Sequence, residues 1–378
     1  MASRFLTAAV FICAALGGAP TAAQTFHTAA GDITVSTVAG GLAYPWSLAF
    51  MPDGRMLVTE RPGRIRIVSP DGKLSKPFAG VPKVFVSGQA GLMDVVLAHD
   101  FARSHTIYFC YAEPVSGGAR IAVAHAQLVE GDTPHLDDVT VIFRQKGPPS
   151  GGLNIGCRMV QAPDNNLFVT LGDHFAPKAD AQRLDNAIGK IIRIRPDGSV
   201  PSGNPFADRA GALPEIWAYG VRNAQGLAFN PTTGALWEQE HGPMGGDEIN
   251  IVERGANYGW PVVSFGRNYD GTPVGEGKQH APGMADPIWH WTPSIAPSGM
   301  AFYTGDIFPA WKGSLFNGAL KFEYLSRLTL VGDEAVKEER MLQGLHERIR
   351  DVRQGPDGAL YLLTDNSRGR ILRLAPAR

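Results

Sequence analysis

Four stretches of the chain follow one pattern of apolar and polar positions: SLAFMPDGRMLVT (47–59), RMVQAPDNNLFVT (158–170), QGLAFNPTTGALW (225–237) and VRQGPDGALYLLT (352–364). Each passes through an apolar run, a Pro-Asp or Asn-Pro turn with Gly or Asn, and a second apolar run rich in β-formers. Such a turn between two apolar runs predicts a β-hairpin. Two weaker copies, VVLAHDFARSHTIYFCYA (95–112) and GMAFYTGDIFPAWKGSLFNGAL (299–320), bring the set to six.

A small sheet that is apolar on both faces cannot bury itself alone, and radial repetition solves that problem. Six copies at spacings of roughly 50–75 residues predict an all-β, six-bladed β-propeller, a single domain over residues 24–378. An open array or a two-sheet sandwich is the alternative. The lack of strong helical periodicity and of a linker favours the closed ring. Residues 33–42, ITVSTVAGGL, are placed to pair with GRILRLAP (369–376) and close it. The long intervals 171–221 and 238–298 hold elaborated loops, where function concentrates.

Composition agrees with this fold and narrows the function. Of 378 residues, 44% are apolar and only 19% charged, with 45 Gly and 28 Pro, which favours an all-β protein over a helical bundle. The net charge of −1 provides no basic field for nucleic acid or an anionic membrane. Arg4, the apolar run FLTAAVFICAAL (5–16) and the small residues Thr21 and Ala23 predict a Sec-type signal peptide over 1–23, cleaved before Gln24. A periplasmic or secreted protein with no membrane span after cleavage follows; an N-terminal anchor is the alternative. Cys110 and Cys157 then remain, either as a disulfide or as two buried thiols. Neither CxxC nor HExxH occurs, so zinc is not indicated.

Three segments stand apart from the scaffold. YGVRNAQGLAF (219–229) places Arg222 and Asn223 just before a strand. EQEHGPMGGDEINIVERGANYGWP (238–261) gathers Glu240, His241, Asp247 and Glu248 around a Gly-Pro turn, whose oxygens are of the kind Ca²⁺ prefers. ERIRDVRQGPDG (347–358) sets Arg348 and Arg350 on one strand face, and Lys321 follows another apolar strand. An isolated cation of this sort is ordinarily a solvated surface charge. Strand ends of one sense in different blades converge on one channel mouth, however, and such a mouth suits a small polyanion.

These motifs resemble the soluble quinoprotein sugar dehydrogenases, the glucose and especially the aldose sugar dehydrogenases that use pyrroloquinoline quinone (PQQ). The resemblance runs from about Pro45 to Pro376 through GQAGLMDVVLAHDF, IGKIIRIRPDGSVPSGNPF, EIWAYGVRNAQG, EHGPMGGDEIN, NYGWP and RIRDVRQGPDGALYLLTD. It implies a six-bladed propeller that oxidises aldoses at the anomeric carbon, with PQQ as hydride acceptor and Ca²⁺ as Lewis acid. It also implies site residues. Gln89, Arg222, Asn223, His241, Asp247, Lys321, Arg348 and Arg350 fall on cofactor-contacting positions, and Ser294 lies near them. The carbonyls of Gly242 and Pro243 would hold the catalytic Ca²⁺, and Glu248 with the main chain near Tyr258 a structural one. A sugar substrate and an unspecified electron acceptor are the implied partners, for a monomer or homodimer.

One position departs from the family pattern. The family carries His four residues before an Arg, as in HFGGR, and counting back from Arg158 reaches Asn154. The same frame carried forward places Asp173 where the family's orienting carboxylate stands. Met244 also replaces a common Arg. An amide cannot take a proton near neutral pH, so three outcomes are open. Asp173, or a water it orients, becomes the base; His174 or His241 does; or the protein binds PQQ or a sugar without efficient oxidation. The catalytic set expected on this reading is Asn154, Asp173 and Arg222. A Ca²⁺-dependent lactonase on the same fold is the hydrolase alternative, but it leaves the Lys321, Arg348 and Arg350 cluster without a role.

Overall fold

A computed structural model describes residues 23–377. The signal-peptide reading falls, apart from Ala23, outside the described residues. Among those, no helix is long and apolar enough to cross a membrane.

Every one of the six sequence copies forms the inner hairpin of a blade. The innermost strands are Pro45–Phe50, Leu92–Leu97, Gly156–Gln161, Ala224–Phe229, Pro297–Phe302 and Ile349–Gln354. Their antiparallel partners are Met56–Glu60, Thr106–Val115, Leu167–Leu171, Leu236–Glu240, Leu315–Ala319 and Leu360–Thr364. The tight turns close on residues with positive φ, at Gly54 (84°), Asn165 (66°), Gly234 (74°) and Gly358 (75°), which explains the Gly or Asn in the pattern. Each innermost strand packs beside the next around the ring, and Ile349–Gln354 returns to Pro45–Phe50.

Ring closure joins the two ends of the chain. Gly31–Leu42 pairs antiparallel with Gly369–Pro376, with Val35 opposite Leu374 and Ile33 opposite Pro376. The sixth blade is therefore built from three C-terminal strands and N-terminal ones, with Gln24–Thr28 on its edge. Cores lie between adjacent blades, as where Leu57 and Ile65 of the first blade meet Phe109 and Ala124 of the second.

The third residue of each innermost strand faces the channel. In the first, second, third and sixth blades these are Ser47, Asp94, Arg158 and Asp351, all buried. Arg158 Nη1 lies 3.2 Å from both Asp94 Oδ1 and Asp351 Oδ1, and its guanidinium sits 4.2 Å above the Trp46 ring. Arg353 pairs with Asp351 at 2.9 Å, and Ser47 Oγ donates to Asp94 at 2.5 Å. In the fourth and fifth blades the equivalent residues are Gly226 and Gly299; Gln239 fills the space at Gly226 and donates to the Gly299 carbonyl at 2.6 Å, while Asp351 packs against Gly299.

Cys110 and Cys157 form a disulfide with Cα atoms 5.8 Å apart, settling the alternative that sequence left open. It ties the second strand of the second blade to the innermost strand of the third.

Two stability measurements test these links. Replacing both cysteines by Ala should lower the unfolding free energy in denaturant by about 2–5 kcal/mol. Asp94→Ala leaves buried Arg158 short of a counter-charge and should cost about 3–5 kcal/mol in the same assay.

Candidate active site

In an antiparallel hairpin the start of one strand lies beside the end of its partner. Pro45 pairs with Glu60, Gly156 with Leu171, Ala224 with Glu240, Pro297 with Ala319 and Ile349 with Thr364. Residues just before an innermost strand and just after its partner therefore gather at one end of the channel. Gln89, Asn154, Arg222, Asn223, Ser294 and Arg348 are of the first kind. Asp173, His241, Gly242, Pro243 and Lys321 are of the second.

Two cavities open there. One, of about 430 Å³, is walled by Gln89, His241, Gly242, Pro243, Ser294, Lys321, Arg348 and Arg350. Lys321, Arg348 and Arg350 thus meet on one cavity, whereas Arg222 walls the neighbouring one; Arg61, Gln225 and Asp365, which sequence reading passed over, join the three cations. Asp365 Oδ2 accepts from Arg348 Nη2 and Arg350 Nη2, each at 3.2 Å. Burial pushes the Asp365 carboxyl up, but Arg350, Arg348 and Arg61 outweigh it and hold it below its usual range. The second cavity, of about 360 Å³, is walled by Asp173, Phe175, Lys178, Arg222, Trp260 and Tyr269, among others. Pro243 and Tyr269 border both.

Asn154 occupies the place the sequence frame assigned. Its φ of 47° is left-handed, a conformation that Asn and His tolerate better than most residues. Its Nδ2 donates to Asp173 Oδ1 at 2.8 Å, and its backbone N donates to Gln89 Oε1 at 3.1 Å. Among the described residues no donor reaches Asn154 Oδ1. Asp173 Oδ1 also accepts from Phe175 N at 2.7 Å, while Oδ2 takes one donor, Trp260 Nε1 at 2.7 Å.

The two histidines are poorly placed as bases. His241 Nε2 donates to the Pro297 carbonyl at 2.8 Å, so Nδ1 is left to accept from Asn223 Nδ2 at 3.3 Å. Burial above all, with Arg222, Arg350 and Arg348 nearby, brings His241 down to about 3 despite the Pro297 carbonyl. His174 Nδ1 donates to the Pro148 carbonyl at 3.0 Å, and its Nε2 is buried without a partner. Burial lowers His174 too.

The Gly-Pro turn is clamped from several sides. Arg222 Nη1 donates to the carbonyls of His241 (2.8 Å) and Gly242 (2.9 Å), and its guanidinium stands 5.2 Å from the Trp260 ring. Asp247 stands behind the cavity wall rather than in it. Its oxygens accept from Gly242 N at 2.8 Å and from Ile295 N and Ala296 N at 2.7 and 3.0 Å. Burial raises its carboxyl to about 6, against the pull of these donors. Beneath the turn, Glu240, Glu248, Tyr258 and Trp260 border a gap of about 10 Å³. Burial also raises Glu240, to about 7, and pushes Glu238 and Glu248 well above the usual carboxylate range. The Tyr258 hydroxyl is committed to Ile251 O at 2.6 Å, leaving only its main chain for a ligand.

A six-bladed propeller whose mouth gathers Lys321, Arg348 and Arg350 on one cavity has a site suited to a small anion. The chain belongs to the glucose/sorbosone dehydrogenase family, whose sequence profile matches residues 42–373. It is 42% identical over 377 residues to the aldose sugar dehydrogenase YliI of Escherichia coli K12, covering 99% of this chain and 98% of that one. A crystal structure of a glucose dehydrogenase superposes with a TM-score of 0.88 at 48% identity, over 91% of this chain and 100% of the other. The PQQ-bound aldose sugar dehydrogenase of Streptomyces coelicolor superposes with a TM-score of 0.75 at 30% identity, over 90% and 98%.

The acidic cluster predicts a pH dependence. By pH about 5.5 the unfolded chain's Glu carboxyls are mostly ionised. Folded Glu240 keeps its proton until about pH 7, and burial shifts Glu238 and Glu248 in the same direction. At these sites the folded state binds more protons than the unfolded one, so their contribution to stability falls as pH rises. The melting temperature of metal-free wild type, relative to Glu240→Gln, should therefore fall from pH about 5 to about 7 in scanning calorimetry.

Proposed function

We propose that the protein is a PQQ-dependent aldose dehydrogenase that converts a sugar to its lactone outside the cytoplasm, with Ca²⁺ beside the cofactor. The convergence of Lys321, Arg348 and Arg350 on one cavity carries this reading. Its volume of about 430 Å³ is typical of a small-molecule site. Guanidinium and ammonium groups suit the carboxylates of a flat tricarboxylate. A lactonase would have no use for them.

The residues present fit both groups. Gly242 and Pro243 bring hard carbonyl oxygens to the cavity with the cations, and Glu248 and Tyr258 border the gap suited to a second Ca²⁺. Bound PQQ would supply a two-electron acceptor polarised by Ca²⁺. Arg222 walls the second cavity and touches the Gly242 carbonyl at the edge of the first, so it can stabilise negative charge developing between them. The 360 Å³ cavity is the sugar site, with Asp173 and Trp260 in its wall.

Proton removal falls to Asp173. Both histidines are held by backbone carbonyls and lowered by burial, whereas Asp173 Oδ2 has one donor and a lone pair to spare. Asn154 orients that carboxylate and offers Oδ1 to a sugar hydroxyl. The Cys110–Cys157 disulfide supports an oxidising compartment, in keeping with the predicted leader.

Protein incubated with Ca²⁺ and PQQ should form a stable complex with a shifted PQQ spectrum at micromolar concentration; an unchanged spectrum refutes the cofactor assignment. With an artificial acceptor and a panel of aldoses, dye reduction should be measurable but slow. Asn154→His puts an imidazole N–H where the amide now meets Asp173 and frees the second nitrogen as base. Its rate should rise by about 10²-fold or more. Equal rates in the two proteins would remove Asn154 from the account.

A further inference from the structure

We propose that Arg61 is a fourth cation of the cofactor clamp, held in place to take a carboxylate of the ligand. The proposal rests on the PQQ reading above and deepens it. Arg61 follows the second strand of the first blade, the place held by His241 and Asp365 in the fourth and sixth. It walls the same cavity as Lys321, Arg348 and Arg350.

The position is built rather than incidental. The Arg61 guanidinium stands 4.4 Å above the Tyr44 ring, and its Nη1 donates to the Gly88 carbonyl at 3.0 Å. Its backbone N donates to Tyr44 O at 3.0 Å, and its own carbonyl accepts from Leu92 N at 2.9 Å. Gly91 makes room for the stem, since a Cβ there would lie 2.5 Å from Arg61 Cγ. Among the described residues no carboxylate is in ion-pair contact with Arg61 or Lys321, so most of their donors are uncommitted. Stacking on Tyr44 fixes the guanidinium plane, which lowers the entropy lost when it takes a carboxylate.

The uncommitted donors give the argument its force. Four cations against the single Asp365 carboxylate give the side chains of the cavity a net charge of three, to which a bound Ca²⁺ would add. Without Arg61 there would be two. Asp365 is held by Arg348 and Arg350 and only senses Arg61 at a distance, so Arg61 is the guanidinium freest to turn to a ligand.

The test compares wild type, Arg61→Gln, Arg61→Lys and the exposed control Arg103→Gln, all metal-loaded, by equilibrium titration. The probes are PQQ and benzene-1,3,5-tricarboxylate, a planar tricarboxylate without a quinone. Arg61→Gln should bind both about tenfold more weakly and lose affinity less steeply with added salt. Arg61→Lys should recover part of the loss, and Arg103→Gln should match wild type. If Arg61→Gln matches wild type with both probes, or has the same salt dependence, the clamp assignment is overturned. Wild type that takes the tricarboxylate but not PQQ sinks the quinone reading and leaves the clamp standing. Wild type that takes neither sinks both.

Discussion

The buried ion network in the channel is the constraint on which the rest of the molecule depends. Six sheets packed on apolar faces can slide or rotate against each other, because dispersion and area burial are not directional. Asp94, Arg158 and Asp351 come from three different blades and meet at one depth. Asp94 Oδ2 also accepts from Met159 N at 2.6 Å, and Asp351 Oδ2 from Leu48 N at 3.1 Å, so the network grips main chain as well as side chains. A buried ion pair is weak evidence of added stability, but removing one partner is severe. Its effect here is registry: it fixes how far the innermost strands of the first, second, third and sixth blades protrude toward the mouth.

That registry passes directly to the site. Arg158 Nε donates to the Gln225 carbonyl at 2.8 Å, and Arg350 Nη1 lies 3.3 Å from Gln225 Oε1. Gln225 Nε2 meets Asn223 Oδ1 at 3.1 Å, and Gln89 Oε1 accepts from both Asn223 and Asn154. One chain of polar contacts thus runs from the channel plug through the floor of the cationic cavity to the residue beside Asp173. The two sides of this floor carry groups of opposite kind. Arginines and a lysine crowd one cavity, while Glu238, Glu240 and Glu248 lie buried beneath the Gly-Pro turn. The turn whose carbonyls are proposed to hold a divalent cation sits between the two, so a metal there would draw on the acidic side while its ligand draws on the basic one.

Much of this was legible in the sequence because propellers convert chain periodicity into spatial convergence. The hairpin copies gave the inner strands, and the pairing of ITVSTVAGGL with the C-terminus followed from the need to close a ring. The frame from Arg158 back to Asn154 and forward to Asp173 placed two side chains that touch. Other features were hidden for physical reasons. A disulfide depends on Cα separation, which spacing along the chain does not encode. Asp94 sits among apolar residues and looks like a lapse in a strand, and Asp351 looks like one more charge in IRDVRQ, until their partners from other blades are present. Arg61 resembles a solvated turn cation in TERPGR, although its position after the second strand was the available signal. Asp247 and Tyr258 lie where the motif put them, but the Asp247 side chain and the Tyr258 hydroxyl serve the backbone.

On the proposed reading, Asn154 replaces a base and keeps the architecture around it. The amide donates to Asp173 just as an imidazole N–H would, so the carboxylate, Trp260 and the Phe175 main chain lose no partner by the exchange. What changes is the far side of the residue. A neutral imidazole oriented in this way presents a second nitrogen able to take a proton, whereas the amide presents an oxygen that can only accept a hydrogen bond. Substrate orientation therefore survives the exchange and proton acceptance does not. The carboxylate that would have oriented a base is left as the nearest candidate for the task. An Asp held by three donors is well aimed for that task. On the proposed reading the exchange slows the oxidation and leaves binding intact.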